Sequence, residues 1–159
     1  IEYGDRRFHC WKRSGHGTVG LTTALEESCD VFFYDIAQKV GIDAIAATGR
    51  KFGLGQRFDL PMSAITAGTM PDKGWKQETQ KADWRIGQGY VLASPLQLAV
   101  MTARIASGRA VVPRLVRMID GKEVAVAEAA PLDIHGEHLD AVRLGMHEVV
   151  NSEKGTAQS

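Results

Sequence analysis

The chain has 159 residues, 44% of them hydrophobic and 24% charged, a composition that can support one domain with an ordinary core. Its 19 Lys and Arg residues balance 19 Asp and Glu residues, so bulk charge gives no basis for binding nucleic acid or an anionic membrane surface. No apolar run approaches the ~20 residues that a membrane-spanning helix needs.

The first third of the chain predicts an irregular segment followed by helices. Residues 1–20 are rich in Gly, Arg and His and show no sustained period, so we expect them to be irregular. Helical spacing of apolar residues then predicts three helices, over about 22–28, 30–40 and 42–52. Thr22 and Thr23 are N-cap candidates for the first, because Glu26 follows Thr23 at capping-box spacing. A glycine follows the second and third helices as a stop signal.

Residues 54–84 show no period and are rich in Gly, Pro, Asp and Lys, which indicates a long irregular excursion. The next helix has clear signals at its start. Ser94 is a predicted N-cap, Pro95 suits the first helical position and Gln97 completes a capping box. This helix is predicted over 96–107. Its apolar residues lie nearly all round the axis, so we expect it to be deeply buried.

The end of the chain predicts a hairpin and a last helix. Residues 111–119 and 123–126 have strand character, and Asp120-Gly121 between them is a strong two-residue hairpin turn. Residues 139–150 carry apolar side chains on one side, which predicts an amphipathic helix. Helices dominate and strands come late, so the predicted fold class is α+β, a mostly helical part of a domain with an incomplete antiparallel sheet.

The triplet Ser28-Cys29-Asp30 lies at the junction of the first two predicted helices. It places a hydroxyl and a carboxylate two positions apart, and at such a break a hydroxyl can reach into a cleft. The same triplet can simply cap a helix, because Ser and Asp side chains commonly bond to nearby backbone groups. The flanking sequence favours the first interpretation.

Six segments around this triplet follow one order along the chain. They are Phe8-His9-Cys10-Trp11, Gly15-His16-Gly17, Ala24 to Asp30, Lys51-Phe52-Gly53-Leu54-Gly55, Gly68 to Pro71 followed by Trp75-Lys76, and Gly87-Gln88-Gly89-Tyr90 with Ser94-Pro95-Leu96-Gln97. This order closely resembles the transpeptidase domain of the elongation-type class B penicillin-binding proteins, the penicillin-binding protein 2 group of rod-shaped Gram-negative bacteria. The resemblance extends from about Phe8 to Ala157.

The resemblance implies that residues 1–159 are an internal, partial transpeptidase domain. The family uses three motifs: Ser-x-x-Lys, Ser-x-Asn or Ser-x-Asp, and Lys-Ser/Thr-Gly. Only the middle motif is present, at Ser28 to Asp30. Lys154-Gly155-Thr156 has the letters of the third motif in the wrong order, and Asn151 to Ala157 instead resembles the segment that precedes that motif. We therefore expect the chain to lack the first and third motifs and to be inactive alone.

By the same resemblance, the parent protein is a serine-type peptidoglycan D,D-transpeptidase that cross-links stem peptides during cell-wall elongation and is acylated by β-lactams. Ser28 would relay a proton between the catalytic lysine and the leaving D-alanine nitrogen. Asp30 would hold the hydrogen-bond network and the donor peptide's amide. No catalytic cofactor is expected. The implied partners are stem peptides, β-lactams and a membrane glycan polymerase, and the implied location is the periplasmic side of the inner membrane.

Two other functions are compatible with the motif. One is a β-lactam-binding sensor domain, which shares the fold but signals instead of turning over substrate. The other is a non-catalytic structural module in which the Ser28 turn is only a cap. The block from Gly87 to Gln97 and the pair Trp75-Lys76 favour the biosynthetic enzyme over the sensor.

Cys10, His16 and Cys29 are a candidate metal site. Thiolate and imidazole ligands suit tetrahedral zinc, although the spacing is not that of a zinc finger. A fourth ligand is needed, and Asp5 or an acidic residue upstream of this chain is the candidate. A Cys10–Cys29 disulfide and two unconnected buried thiols are the alternatives. Zinc here would be structural and would clamp the N-terminal segment onto the turn between the first two helices.

The remaining polar and aromatic candidates are interpreted as structural or solvated. Gly87-Gln88-Gly89 is too short for a phosphate-binding fingerprint and is assigned to a tight turn. The tryptophans are expected to be core or lid anchors (Trp11, Trp75 and Trp84). The histidines near the last helix are expected to be solvated (His135, His138 and His147). The lysines of the excursion are expected to form a solvated face (Lys73, Lys76 and Lys81).

Overall fold

The computed structural model describes residues 1–3, 6–61, 65–71 and 91–158. Its elements are, in chain order, β1 (Glu2–Tyr3), β2 (Arg6–Arg7), α1 (Leu21–Glu26), α2 (Asp30–Val40), α3 (Ile42–Lys51), α4 (Pro95–Ser107), β3 (Met118–Ile119), β4 (Lys122–Glu123) and α5 (Gly136–Asn151). The strands form two separate antiparallel pairs, β1 with β2 and β3 with β4. The α+β class with an incomplete antiparallel sheet is confirmed. Among the described helices, none has both the length and the apolar character of a bilayer span.

Helix α1 begins one residue before the predicted N-cap candidates, which is a correction to the sequence analysis. Thr22 and Thr23 lie inside the helix, and the N-cap is Gly20 in an extended conformation. The carbonyl of Gly20 accepts the backbone N–H of Ala24 at 2.9 Å, so the helical bonds start there. No threonine side chain makes the cap.

The N-terminal segment is more regular than its composition predicts. Glu2 pairs with Arg7 in a two-residue antiparallel ribbon. Two further bonds close its open end, from the Ile1 backbone nitrogen to the Phe8 carbonyl at 3.0 Å and from the Phe8 N–H to the Ile1 carbonyl at 2.8 Å. Strands this short carry no readable alternation of apolar and polar residues, so the sequence offers no signal for them.

Helix α4 has the predicted start but not the predicted burial. Ser94 accepts the Gln97 backbone N–H at 3.2 Å, and the Gln97 side chain accepts the Ser94 N–H at 2.8 Å, so the capping box is confirmed. Only one face of the helix is buried, and Leu98 is 47% exposed. That face includes Gln97 and Arg104, whose polar groups bond to backbone carbonyls of neighbouring loops. The expectation of deep burial on all sides was wrong.

The predicted hairpin is present but much shorter than predicted. Its described strands are only two residues each, β3 and β4, although the Asp120-Gly121 turn is confirmed. Both turn residues have left-handed backbone, with φ of 49° and 75°, as a two-residue turn that matches strand twist requires. Exposed apolar side chains flank the turn, including Ile119 at 60% exposure. Little of the predicted strand length is therefore paired.

Close packing of α5 against α1 places the end of the chain beside the α1–α2 turn. Gly145 in α5 faces Leu25 in α1, and a Cβ on that glycine would lie 2.8 Å from the Leu25 Cβ. The absence of a side chain at Gly145 lets the two helices approach closely. Helix α5 starts at Gly136, three residues before the predicted start at 139, and its C-terminal end leads into residues 152–157.

Several predictions concern residues outside the described ranges. They are the Gly87-Gln88-Gly89 turn, Asp5 as a metal ligand, Trp75 and Trp84 as anchors, and Lys73, Lys76 and Lys81 as a solvated face.

Candidate functional site

The turn at Ser28 is built as the end of helix α1. The Ser28 N–H donates to the Leu25 carbonyl at 3.2 Å, and the Cys29 N–H donates to the Ala24 carbonyl at 2.9 Å. This pair of bonds is the Schellman arrangement, in which the residue after the cap adopts left-handed backbone and is usually glycine. Ser28 takes that position with φ of 51°. Helix α2 then starts at Asp30, with Cys29 as its N-cap.

This turn presents the Ser28 side chain to solvent. The residue is exposed, while Cys29 next to it is 6% exposed and points into the protein. The Ser28 hydroxyl lies 2.6 Å from the hydroxyl of Thr156. A cleft of about 560 Å³ opens alongside, lined by Trp11 and by residues 153–156. Ser28 therefore lies at an exposed edge of the described protein, next to Thr156, which lines this cleft.

Trp11 ties the N-terminal segment to the same turn. Its indole N–H points at the carbonyls of Glu27 and Ser28, each 3.0 Å away. Its backbone N–H donates to Oδ2 of Asp30 at 3.0 Å. The Asp30 carboxylate, predicted to hold a hydrogen-bond network, thus bonds to the backbone of the N-terminal segment and is half-buried.

The C-terminal segment anchors on Glu26, the last residue of α1. The Ser152 hydroxyl donates to Oε1 of Glu26 at 2.5 Å, and the Thr156 N–H donates to the Glu26 carbonyl at 3.2 Å. The Ala157 N–H donates back to the Val149 carbonyl of α5 at 2.9 Å. Residues 152–157 are thus held against the Ser28 turn from two sides.

The three predicted metal ligands come together behind the turn. The Sγ atoms of Cys10 and Cys29 and one ring nitrogen of His16 all lie within 4.8 Å of one another. Cys10 Sγ is 3.4 Å from His16 Nδ1. Both cysteines are free thiols in the structure. Cys29 is at once the centre of the Ser-x-Asp motif and a member of this cluster.

Glu27 lies on the other side of the His16 ring. Its Oε2 is 3.6 Å from His16 Nε2 and 3.3 Å from Lys12 Nζ, and its Oε1 is 3.9 Å from Lys154 Nζ. The distance to Nε2 suits an ion pair but exceeds a hydrogen bond, so this fully buried nitrogen has no hydrogen-bond partner among the described residues. Glu27 is 8% exposed and needs these cationic neighbours to offset the loss of hydration.

Burial raises the pKa of the Cys29 thiol, and the nearby Cys10 raises it further, partly offset by hydrogen bonds from the backbone of α2. Without a cation in the cluster this thiol therefore stays protonated at neutral pH. A cation among the three groups reverses the preference, because metal ligation requires the thiolate.

Four further residues take part in this site. Glu26, Glu27 and Thr156 were not predicted as site residues, and Trp11 was predicted only as a core or lid anchor. Their signal was their place in the family-like segments Phe8 to Trp11, Ala24 to Asp30 and Asn151 to Ala157. His138 and His147, expected to be solvated, have side chains 68% and 65% exposed. The catalytic roles of Ser28 and Asp30 stay predictions.

Comparison with curated proteins gives a close set of relatives. The chain is 35% identical over 167 aligned residues to Peptidoglycan D,D-transpeptidase MrdA of Escherichia coli strain K12, an alignment that covers 96% of this chain and 26% of the relative. The chain thus spans about a quarter of the length of such curated relatives.

Solved structures give the same result. Pseudomonas aeruginosa PBP2, solved in complex with WCK 5153, matches with a TM-score of 0.83 and 36% identity over 99% of this chain and 37% of that one. A chain from a structure on polymerization and crosslinking by a peptidoglycan synthase complex matches with a TM-score of 0.80 and 27% identity, over 96% of this chain and 27% of that one.

A family match spans the full sequence. The description "Penicillin binding protein transpeptidase domain" applies to residues 1–159. The resemblance inferred from the motifs is therefore confirmed, and the chain belongs to the penicillin-binding protein transpeptidase domain family.

Proposed function

We propose that this chain is an internal part of a peptidoglycan D,D-transpeptidase that cross-links stem peptides through a serine acyl-enzyme and is acylated by β-lactams. The observation that carries the proposal is the exposed hydroxyl of Ser28, held on a left-handed turn two positions from Asp30 and next to Thr156, which lines an open cleft. The activity for which the relatives are named supports it. The nucleophilic serine, its lysine and the third motif belong to other segments of the longer protein.

The chemistry assigns Ser28 to proton transfer. The nucleophilic serine gives its proton to the lysine amine and bonds to the carbonyl carbon of the donor stem peptide. As the C–N bond to the terminal D-alanine breaks, Ser28 gives its proton to the departing nitrogen and receives one from the lysine ammonium. The amine leaves neutral and the lysine is ready as base for the acceptor amine. Asp30 accepts the Trp11 backbone N–H and would also hold the donor peptide's amide.

The test is Ser28→Ala in the full-length protein. Acylation by a fluorescent penicillin is expected to slow by ~10²-fold or more, the scale of a lost proton-transfer partner. Ser107→Ala is the matched control, because that hydroxyl lies on α4 and bonds to the Ala103 carbonyl of its own helix. Unchanged labelling of Ser28→Ala would defeat the assigned role.

The encoded flanking residues separate enzyme from structural module. A Ser-x-x-Lys upstream and a Lys-Ser/Thr-Gly soon after Ser159 are expected. Their absence would favour the non-catalytic module, and their presence without turnover of stem peptides would favour the sensor.

We also propose a structural zinc at Cys10, His16 and Cys29. In a tetrahedral zinc site the sulfur and nitrogen ligand atoms lie about 3.5–3.8 Å apart. The distance of 3.4 Å between Cys10 Sγ and His16 Nδ1 is close to this value. The carboxylate of Glu27 facing the other ring nitrogen is the arrangement that orients metal-binding histidines. Bound zinc would supply charge and a cross-link between the N-terminal segment and the Ser28 turn, and no reaction step.

Elemental analysis of chelator-free full-length protein tests the metal. About one zinc per chain is expected, and Cys10→Ser or Cys29→Ser should lower that content and the thermal midpoint. Ser14→Ala, in the same segment but outside the cluster, is the control. A metal-free protein with an intact disulfide by mass spectrometry would contradict the site.

The location and the partner follow from the proposed activity. The longer protein would be anchored in the inner membrane with this domain in the periplasm, where stem peptides are exposed, and would act with a membrane glycan polymerase. The matched chain from a complex that couples polymerization and crosslinking supports this partner. Co-purification of the full-length protein with a membrane polymerase tests it, and recovery of the full-length protein in the soluble fraction would contradict the location.

A further inference from the structure

The Ser28 hydroxyl is held by a residue far along the chain. Thr156 Oγ1 lies 2.6 Å from Ser28 Oγ, across 128 positions of sequence. Thr156 belongs to the short segment after α5, and its hydroxyl also lies 3.5 Å from the Glu26 carbonyl. Both side chains are exposed, so the pair lies at the surface of the cleft and is not part of the core.

The backbone of Thr156 is positioned without help from its side chain. Its N–H donates to the Glu26 carbonyl at 3.2 Å, and the Gly155 N–H donates to the Ser152 carbonyl at 3.1 Å. Gly155 lies so close to the last turn of α5 that a Cβ there would be 2.7 Å from the Glu148 carbonyl oxygen. The segment therefore presents the Thr156 hydroxyl at a defined place, and removing that hydroxyl leaves these bonds intact.

A hydroxyl has one proton to donate and two lone pairs that accept. When Thr156 donates to Ser28, the Ser28 proton is free to point into the cleft. When Thr156 donates to the Glu26 carbonyl, it accepts the Ser28 proton and turns that proton away from the cleft. The Thr156 hydroxyl contacts the Ser28 hydroxyl in either arrangement, and the first arrangement leaves the Ser28 proton available for transfer.

We propose that Thr156 is a positioning residue for the Ser28 hydroxyl, acting on the proton-transfer step through Ser28 alone. The inference rests on the proposed function of Ser28. It extends the site from one motif to a pair of hydroxyls supplied by the α1–α2 turn and by the segment that follows α5.

Three variants of the full-length protein test the pair. Thr156→Val keeps the shape and removes the hydroxyl, and it should slow acylation by a fluorescent penicillin about tenfold, the effect of one lost hydrogen bond. Thr156→Ser restores the hydroxyl and should return the rate to within about threefold of wild type. Thr102→Val is the control, because that exposed hydroxyl only bonds back to the Leu98 carbonyl within α4.

A double variant separates positioning from a structural role. If Thr156 acts through Ser28, Thr156→Val should have no further effect on acylation in the Ser28→Ala background. A tenfold loss in both backgrounds would overturn the inference, as would an unchanged rate in Thr156→Val or a Thr156→Ser variant as slow as the valine one. If Ser28→Ala slows acylation and Thr156→Val does not, only this inference fails. If Ser28→Ala has no effect, the proposed function fails with it.

Discussion

Two turns of this molecule share an uncommon backbone for different reasons. Among the described residues, Ser28 and Asp120 are the non-glycine positions with positive φ, 51° and 49°. Asp120 is followed by Gly121 in an exposed hairpin, and Asp-Gly is the pair that such a turn selects from local chemistry alone. Ser28 stands where a helix end normally has glycine, and its neighbours in sequence do not require serine.

The left-handed backbone at Ser28, unlike that at Asp120, indicates a functional site. An L-residue in left-handed conformation costs roughly 1–2 kcal/mol relative to its usual backbone. At Asp120 a short polar side chain and the next glycine reduce that cost, and the turn contacts little else. At Ser28 the side chain is kept despite the cost, and contacts from Trp11 and Thr156 hold the turn. Such residues cluster at functional sites.

Replacing each of these residues by glycine gives the largest expected contrast. Ser28→Gly and Asp120→Gly both remove the cost of left-handed backbone, so each should change the free energy of unfolding by no more than about 1 kcal/mol. Only Ser28→Gly also removes a hydroxyl from the cleft, and it should slow penicillin acylation of the full-length protein by ~10²-fold. Urea unfolding and stopped-flow labelling measure the two quantities.

The same pair of variants can contradict the distinction between the Ser28 turn and the Asp120 turn. Equal labelling of both variants at the wild-type rate would mean that the Ser28 turn is a cap like any other. A large loss of stability in Ser28→Gly alone would mean that the serine is kept for folding.

Gly145→Ala tests the packing that brings the two halves of the site together. The added Cβ would meet Leu25 at 2.8 Å, so α1 and α5 must move apart, at an expected cost of about 1–3 kcal/mol in the free energy of unfolding. Gly136→Ala at the start of α5 is the control, because nothing lies within 4 Å of its added Cβ. Urea unfolding that places both variants at wild-type stability would contradict the close approach.

A substitution in the hairpin is expected to lower the stability of the protein without lowering its activity. Gly121→Ala meets no neighbour within 4 Å, so its cost is the left-handed backbone alone, about 1 kcal/mol. Thermal unfolding should show this shift while penicillin labelling stays at the wild-type rate. Slower labelling in this variant would connect the hairpin to the site and weaken the contrast with Ser28.

Removal of the exposed ion pair between α3 and the loop before α5 is expected to have the smallest effect on stability. Lys51 Nζ lies 2.9 Å from Oδ2 of Asp133, and this bond lowers the pKa of the carboxyl. The pKa of the Asp133 carboxyl is lower in the folded protein than in the unfolded one. The ion pair therefore stabilises the fold above the ordinary carboxyl pKa, and this stabilisation is lost as pH falls through the lowered value. The difference in thermal midpoint between wild type and Asp133→Asn should be small near neutral pH, shrink with salt and vanish in acid. A difference that grows in acid would contradict this sign.

Much of the local structure could be predicted from the sequence. The Ser94 capping box and the Asp120-Gly121 turn are formed by residues a few positions apart, so their signals are complete within a short window. The start of α1 was misjudged because threonine is a stronger cap signal than glycine, whereas the helix begins after Gly20 with no side-chain cap bond. Of the candidate site, the serine and carboxylate were named from motif order and the candidate metal ligands from their side-chain chemistry, but their surroundings were not predicted.

The sequence by itself determined the family, the helix order and the residues that carry chemistry, because these depend on local spacing and on segments in a defined order. Tertiary structure alone decided that Thr156 meets Ser28, that Glu27 faces His16, and that one face of α4 buries polar side chains. These contacts join residues far apart in sequence. The first of them depends on the close packing of α1 and α5 at Gly145, a spatial fact that no local pattern encodes.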